Sequence, residues 1–221
     1  MNNDELIKFC LENLNFKILN NWPPKEYCYP YISLCAIDAV FSINTKYEAV
    51  KNIVNRIEKS RVHLNSLAEF EKWMGNTPTE ELKQNYFNGQ KVGKRLKIDI
   101  LKDFIDILLC HNFDDKADFG NFIDNAEIDT NLDNIKGVGK TTISYFFMLA
   151  GDENKIKPDR HIKKFISDRQ ETLINDVDNK MAAKTLKLIL PELQKKHPKL
   201  TLRSLDYLIW NFQRKKTRRN N

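Results

Sequence analysis

Asp159 and the turn Gly137-Val138-Gly139 are the residues of this chain whose types and spacing suit chemistry. A carboxylate held in a fixed place can stabilise a developing positive charge, and it can orient or deprotonate a water molecule. Two glycines around one apolar residue suit a hairpin between short helices, where the backbone needs positive φ or a close approach. Such a hairpin bares the amides of a helix that opens near Lys140, a ready anion site. For a basic chain the obvious anion is a duplex phosphate. Each residue also has a plain structural reading. A Gly-Val-Gly turn alone is a weak signal. Asp159 follows Pro158 and precedes the stripe Ile162, Phe165 and Ile166, which is the position of a helix N-cap.

The elements that must hold these groups are helical. From Lys140 a helix is predicted to Ala150, with Ile143, Phe146, Phe147 and Ala150 at helical spacing. Tyr145, Met148 and Leu149 make it apolar nearly all round, so it should be central and buried. Gly151 suits its C′ position. Asp129 or Thr130 is the expected cap of the first hairpin helix, and 118–125 is a further short helical candidate. Upstream, Ile7, Cys10, Leu11 and Leu14 mark a helix over 4–18, which Trp22-Pro23-Pro24 breaks. Ile32, Cys35, Ala36, Ala39 and Val40 mark the next, ending near Ser42. Capping boxes are read at Thr45–Glu48, at Ser66–Glu69 and at Thr77–Glu80, with Pro78 suited to a first helical position. A turn falls within 89–93, and Leu96, Ile100, Leu101, Phe104, Ile105 and Leu108 mark a longer helix. Val177, Met181, Leu186 and Ile189 mark another, followed by a basic segment bracketed by Pro191 and Pro198. The last carries Leu205, Leu208, Ile209 and Phe212. No period-two pattern or repeat is sustained, so the fold class is all-α.

Composition narrows the function classes. The chain has 221 residues, 41% hydrophobic and 30% charged, enough for a sizeable core. A net charge of +6 and a pI near 9.0 favour a polyanionic partner. No apolar run approaches membrane-spanning length, and the N-terminal residues lack the pattern of a secretory signal, so a cytoplasmic protein is expected, nucleoid-associated if prokaryotic. Cys10, Cys28, Cys35 and Cys110 form no Cys-x-x-Cys pair and read as buried thiols in a reducing compartment. No His, Cys or Asp cluster has metal-ligand spacing. Basic residues group at Lys91, Lys94, Arg95 and Lys97, at Lys195, Lys196 and Lys199, and in a tail of Arg214, Lys215, Lys216, Arg218 and Arg219 that is expected to be disordered. These groups either attract phosphate or simply solvate the surface.

The stretch 135–166 resembles the helix-hairpin-helix and Gly/Pro-Asp signature of the HhH-GPD superfamily of DNA glycosylases. That superfamily includes endonuclease III, the adenine-mismatch glycosylases and 3-methyladenine glycosylase II. Its Leu-Pro-Gly-Val-Gly hairpin is matched by Ile135-Lys136-Gly137-Val138-Gly139, and its essential aspartate by Asp159. Bifunctional members carry a nucleophilic lysine two residues after the second glycine. Thr141 stands there, eighteen residues before Asp159, so the spacing is kept and the amine is missing. A threonine cannot form a Schiff base with an abasic sugar. The resemblance therefore implies a glycosylase without that lyase activity. Lys140 lies next door but about 100° around the helix, and is not promoted to nucleophile.

Outside this stretch the resemblance is weaker and covers most of the chain. Phe41-Ser42-Ile43-Asn44-Thr45 is similar to the family's Leu-x-Gln-x-Thr segment, which fills the gap left by an extruded base. Alignment on Thr45 makes Ile43, beside Asn44, an apolar wedge, with a core isoleucine as the equal alternative. Residues 89–108 resemble the family's Gly-x-x-x-x-Lys-x-x-x-Leu helix. The family fold implies two lobes with a DNA cleft between them: a six-helix barrel over 31–149, its hairpin at 135–140, and a second lobe from 1–30 plus 150–221. Asp38 lies one position from the glutamate of the mismatch-adenine enzymes and could touch an extruded base. Trp22, Tyr27, Tyr29 and Tyr31 are candidate pocket walls, although aromatics at this density pack in cores more often. His161 matches an Asp-x-His pattern, with a surface or supporting role. Some relatives hold an iron–sulfur cluster on four cysteines after the aspartate. No cysteine follows Cys110, so no cluster and no other cofactor is expected beyond a monovalent cation at the hairpin.

The expected activity follows from the chemistry of the bond. A base inside a duplex must be extruded before attack. Breaking its N-glycosidic bond develops positive charge on the sugar, much as in glycoside hydrolysis. Asp159 is the expected carrier, stabilising that charge and activating water. The expectation is a monofunctional, monomeric DNA glycosylase acting on double-stranded DNA. The rival is a non-catalytic helix-hairpin-helix DNA-binding module, and a helical protein-interaction domain is the third possibility. Thr141 and Ile43 lean toward the style of 3-methyladenine glycosylase II, while the excised base stays open.

Overall fold

A computed structural model of the chain describes residues 3–24, 27–60, 62–122, 125–170 and 172–219. Its elements run α1 (Asn3–Asn13), a 3₁₀ turn (Phe16–Asn21), α2 (Ile32–Phe41), α3 (Tyr47–Ser60) and α4 (Leu67–Asn76). A short α5 (Thr79–Glu81) passes into a π-turn (Leu82–Tyr86). Strands β1 (Lys91–Val92) and β2 (Arg95–Leu96) lead into α6 (Lys97–Cys110) and, after a 3₁₀ turn (Ala117–Asn121), α7 (Ala126–Asp133). Then come α8 (Lys140–Ala150), α9 (Arg160–Gln170), a 3₁₀ turn (Ile174–Asp176), α10 (Asn179–Gln194) and α11 (Leu202–Arg219). The fold is all-α, and the two strands form a small antiparallel hairpin with Lys91 opposite Leu96. Gly93, at φ +60°, supplies the first turn residue of that hairpin. Among the described residues, no helix is long and apolar enough to cross a membrane.

The chain divides into two compact units, Met1–Lys25 with Asp152–Asn221, and Glu26–Gly151. In the second, every residue of α2 is buried, because its sequence is apolar on all sides apart from Ser33 and Asp38. It packs against α3, α4, α6 and α8. α8 is buried from Tyr145 to Ala150 and packs on α2 and α7. In the first unit, α1, α9, α10 and α11 close over Leu6, Cys10, Ile162, Phe165, Leu186, Ile189, Leu205 and Leu208. Phe9, Phe165 and Phe212 meet there at ring separations of 5.6–5.9 Å, two of the three pairs edge to face.

Several local expectations are corrected. α10 runs through Pro191 to Gln194, because Pro191 lies on an exposed face where water can take the carbonyl it leaves unbonded. α1 stops at Asn13, and a 3₁₀ turn replaces its expected last turn. Thr77 donates its hydroxyl to the Trp73 carbonyl (2.8 Å) and so closes α4, while Pro78 stands one residue before the first helical position of α5. Ser66 does cap α4, accepting from the Glu69 amide at 3.1 Å. The expected helix over 118–125 is a 3₁₀ turn ending at Asn121, and residues 123 and 124 lie outside the described set. Cys28 and Cys110 are exposed, whereas Cys10 and Cys35 are buried. Burial pushes the Cys10 thiol up to about 12.

Candidate functional site

α7 enters the hairpin. Its cap is Asn125, whose side chain accepts from the Glu127 and Ile128 amides at 3.0 and 3.3 Å. Asp129 and Thr130, the expected caps, lie inside the helix, and Thr130 donates to the Ala126 carbonyl at 2.7 Å. The turn then closes through Val138 N donating to Ile135 O at 2.9 Å. The two glycines serve different needs. Gly137 has φ +104°, and a Cβ on it would lie 3.0 Å from Ile100 Cδ1 and 3.2 Å from Val92 Cγ1. Gly139 has φ −142°, extended backbone that any residue adopts, and a Cβ there would meet nothing within 4 Å. The first glycine lets the hairpin sit on α6 and β1; the second leaves open space in front of α8.

Gly139 O accepts from Thr142 N (2.8 Å) and Ile143 N (3.2 Å), which starts α8. Among the described residues, the Gly139 and Lys140 amides have no hydrogen-bond acceptor. They stand at the positive end of an eleven-residue helix, suited to an anion. Thr141 is half-buried in the first turn. Of the hairpin carbonyls suggested for a cation, Ile135 O accepts from Val138 N, and Lys136 O accepts from Arg95 Nη1 at 3.4 Å.

Asp159 belongs to the other unit and caps α9. Its Oδ1 accepts from the amides of His161 (2.7 Å) and Ile162 (3.3 Å), while Oδ2 makes no hydrogen bond among the described residues. The loop before it is strapped to α11. The Lys157 amide donates to the buried Asp206 carboxylate at 2.8 Å. Glu153 takes Arg203 Nη1 at 2.8 Å, the Thr201 hydroxyl at 2.5 Å and Trp22 Nε1 at 3.5 Å. The aspartate is thus held by its own cap and by a fixed loop. His161 is half-buried. Burial lowers its pKa, as do the Arg160, Lys157 and Arg214 charges, against an upward pull from Asp159.

The four expected pocket aromatics are distributed over both units. Trp22 packs beside Tyr207, ring centroids 5.6 Å apart, with the Arg203 guanidinium 5.5 Å from its ring. Tyr27 is buried, and Tyr29 and Tyr31 are half-buried, in the unit built around α2. Asp38, on α2, is 1% exposed. It accepts the hydroxyls of Tyr29 (2.7 Å), Ser42 (3.0 Å) and Tyr145 (3.2 Å). Burial and the Asp38 charge push both tyrosine hydroxyls far above their ordinary range, so they stay protonated donors. A carboxylate so occupied ties the 27–31 segment, α2 and α8 together.

Ile43 is half-buried and Asn44 exposed at φ +52°, a left-handed turn residue of a type that tolerates it. Beneath them lies a residue that the basic grouping misjudged. Lys97 is 1% exposed, and its ammonium is consumed by internal acceptors. Arg95 pairs with Asp103 at 2.7 Å, so Lys91 and Lys94 are the exposed cations of that group. Lys195, Lys196 and Lys199 are exposed, Lys195 bridging to Glu192 at 2.6 Å. The tail expected to be disordered is helical to Arg219. Lys216 bridges to Asp168 (3.0 Å), and the Arg214 guanidinium lies 4.4 Å from the Trp210 ring.

The chain belongs to the family described as Domain of unknown function (DUF8548), whose model matches residues 5–214. No curated protein and no solved structure matches it.

Proposed function

We propose that this chain is a monofunctional DNA glycosylase of the HhH-GPD kind, in its two-lobed helix-hairpin-helix architecture. The observation that carries the proposal is the division of labour at Asp159. One oxygen is spent on the helix amides, and the other makes no hydrogen bond among the described residues. An N-cap alone needs only the first. The second is available to a water molecule and to the cationic sugar that forms as the glycosidic bond breaks.

The hairpin supports the same reading. Open space at Gly139 and two amides without acceptors at the α8 start suit a backbone phosphate of duplex DNA, with Val138, Lys140 and Thr141 around it. Thr141, with no amine, stands where a lyase lysine would. Water is then the nucleophile, and the product is an abasic site in an intact strand.

The test is a panel of duplex oligonucleotides, each with one altered base, scored for strand breaks with and without hot alkali. Breaks that need alkali support the proposal and name the substrate class. Breaks without alkali overturn the monofunctional assignment. Salt-dependent duplex binding with no breaks on any duplex would make the protein a non-catalytic hairpin module.

A further inference from the structure

We propose that Lys97 is a positioning residue that clamps the 42–45 turn and holds Ile43 in the conformation a base-gap wedge requires. The wedge half rests on the glycosylase reading; the clamp half does not.

Four acceptors surround the three N–H groups of the Lys97 ammonium: Phe41 O at 2.8 Å, Ile43 O at 2.5 Å, Thr45 Oγ1 at 2.5 Å and Gln90 Oε1 at 3.0 Å, so one proton is shared. Three of these acceptors belong to the end of α2 and the turn after it, more than fifty residues away in sequence. Carbonyls at a helix C-terminus lack helical donors and carry the negative end of the helix dipole, so a cation there satisfies both. The fourth acceptor fixes the other side. Gln90 O accepts the Lys97 amide at 2.9 Å, and Gln90 Oε1 also lies 3.0 Å from the Thr45 hydroxyl.

All four acceptors are neutral. A buried ammonium without a carboxylate partner is an expensive way to fill space, and an apolar side chain of similar length would pack there with less desolvation. What the ammonium adds is geometry: it gathers the last carbonyl of α2 and a carbonyl and a hydroxyl of the following turn around a single point. That turn includes Asn44 in the left-handed region and carries Ile43 at its start. The turn's own backbone hydrogen bonds, Ile43 N to Val40 O and Thr45 N to Ser42 O, are long at 3.3 Å each, and the Thr45 hydroxyl adds one to Ile43 O at 3.1 Å. The Lys97 contacts to Ile43 O and Thr45 Oγ1 are shorter than any of these, and the clamp assigns the turn's order to them.

The test compares wild type with Lys97→Met, which keeps the length and removes the donors, and with Thr45→Val. Amide hydrogen exchange reports peptides over 42–46 and, as an internal control, over 135–140. Single-turnover excision is measured on the best substrate of the panel, and affinity on an unmodified duplex. For Lys97→Met the expected result is at least tenfold faster exchange at 42–46, unchanged exchange at 135–140, and excision at least tenfold slower. Plain duplex affinity should stay within twofold. Unchanged exchange at 42–46 overturns the clamp. Faster exchange with undiminished excision overturns the wedge half. Should Lys97→Met fail to fold, Thr45→Val decides the clamp: about threefold faster exchange supports it, and none overturns it. A wild type that excises no base refutes the glycosylase reading and the wedge with it, while exchange still decides the clamp.

Discussion

Substituting alanine for each hairpin glycine in turn should give opposite results. At Gly137, φ +104° lies where an L side chain is strained, about 1–2 kcal/mol. The new methyl would also lie 3.0 Å from Ile100 Cδ1 and 3.2 Å from Val92 Cγ1. Overpacking of this kind costs about 1–3 kcal/mol, toward the lower end here because both neighbours are side-chain ends that can shift. The sum is roughly 2–4 kcal/mol, or about 5–15 °C in melting temperature for a chain of this size. At Gly139, with extended φ and open space, only the weaker capping by alanine remains, about 0.5 kcal/mol. The methyl would instead intrude where the phosphate is expected, weakening duplex affinity about tenfold while the melting temperature moves by less than about 3 °C. Thermal melting by circular dichroism and fluorescence anisotropy with a labelled duplex measure both. A Gly137→Ala protein that melts within 2 °C of wild type, or a Gly139→Ala protein as destabilised as its neighbour, would refute the reasoning.

Asp38→Ala strips the acceptor from three hydroxyls in the α2 unit and should cost about 2–4 kcal/mol in urea unfolding, against about 1 kcal/mol for Asp38→Asn. Burial pushes the Lys97 ammonium from 10.5 down to about 8, so folding carries the full charging cost below pH 8. Between pH 8 and 10.5 the unfolded chain holds that proton and the folded chain does not, so stability from this group should rise by up to about 3 kcal/mol, a slope absent from Lys97→Met when the two unfolding curves are compared. Thr141→Lys places an amine at the half-buried position eighteen residues before Asp159 and, on the proposed glycosylase reading, should yield strand breaks without alkali, with a borohydride-trapped protein–DNA adduct as the direct readout.

Much of the helical frame was legible because it depends on local patterns. The stripe of α3 buries Val50, Ile53, Val54 and Ile57, and the Ser66 cap begins α4 where expected. Two glycines alike in sequence were not separable, since the positive φ of Gly137 and the packing of Ile100 and Val92 against it are what distinguish it from Gly139. Lys97 and Asp38 were harder. One reads as a surface cation among three others, the other as an ordinary helical carboxylate. Their roles depend on Phe41, Ile43 and Thr45 for Lys97, and on Tyr145 for Asp38, partners between 52 and 107 residues distant. Only tertiary structure brings such partners together. A weak signal did exist for Asp38, since a carboxylate in a helix apolar on every side apart from Ser33 must be buried with donors.

The central claim is that Asp159 holds α9 with one oxygen and performs chemistry with the other. Asp159→Asn separates the two roles, because asparagine is as good an N-cap as aspartate but cannot stabilise a cationic sugar or take a proton from water. Melting temperature and single-turnover excision should be measured together on wild type and this variant. The account predicts a melting temperature within about 2 °C of wild type and excision slower by about 100-fold or more. Excision within tenfold of wild type, from a variant equally stable, would contradict it and reduce Asp159 to a helix cap.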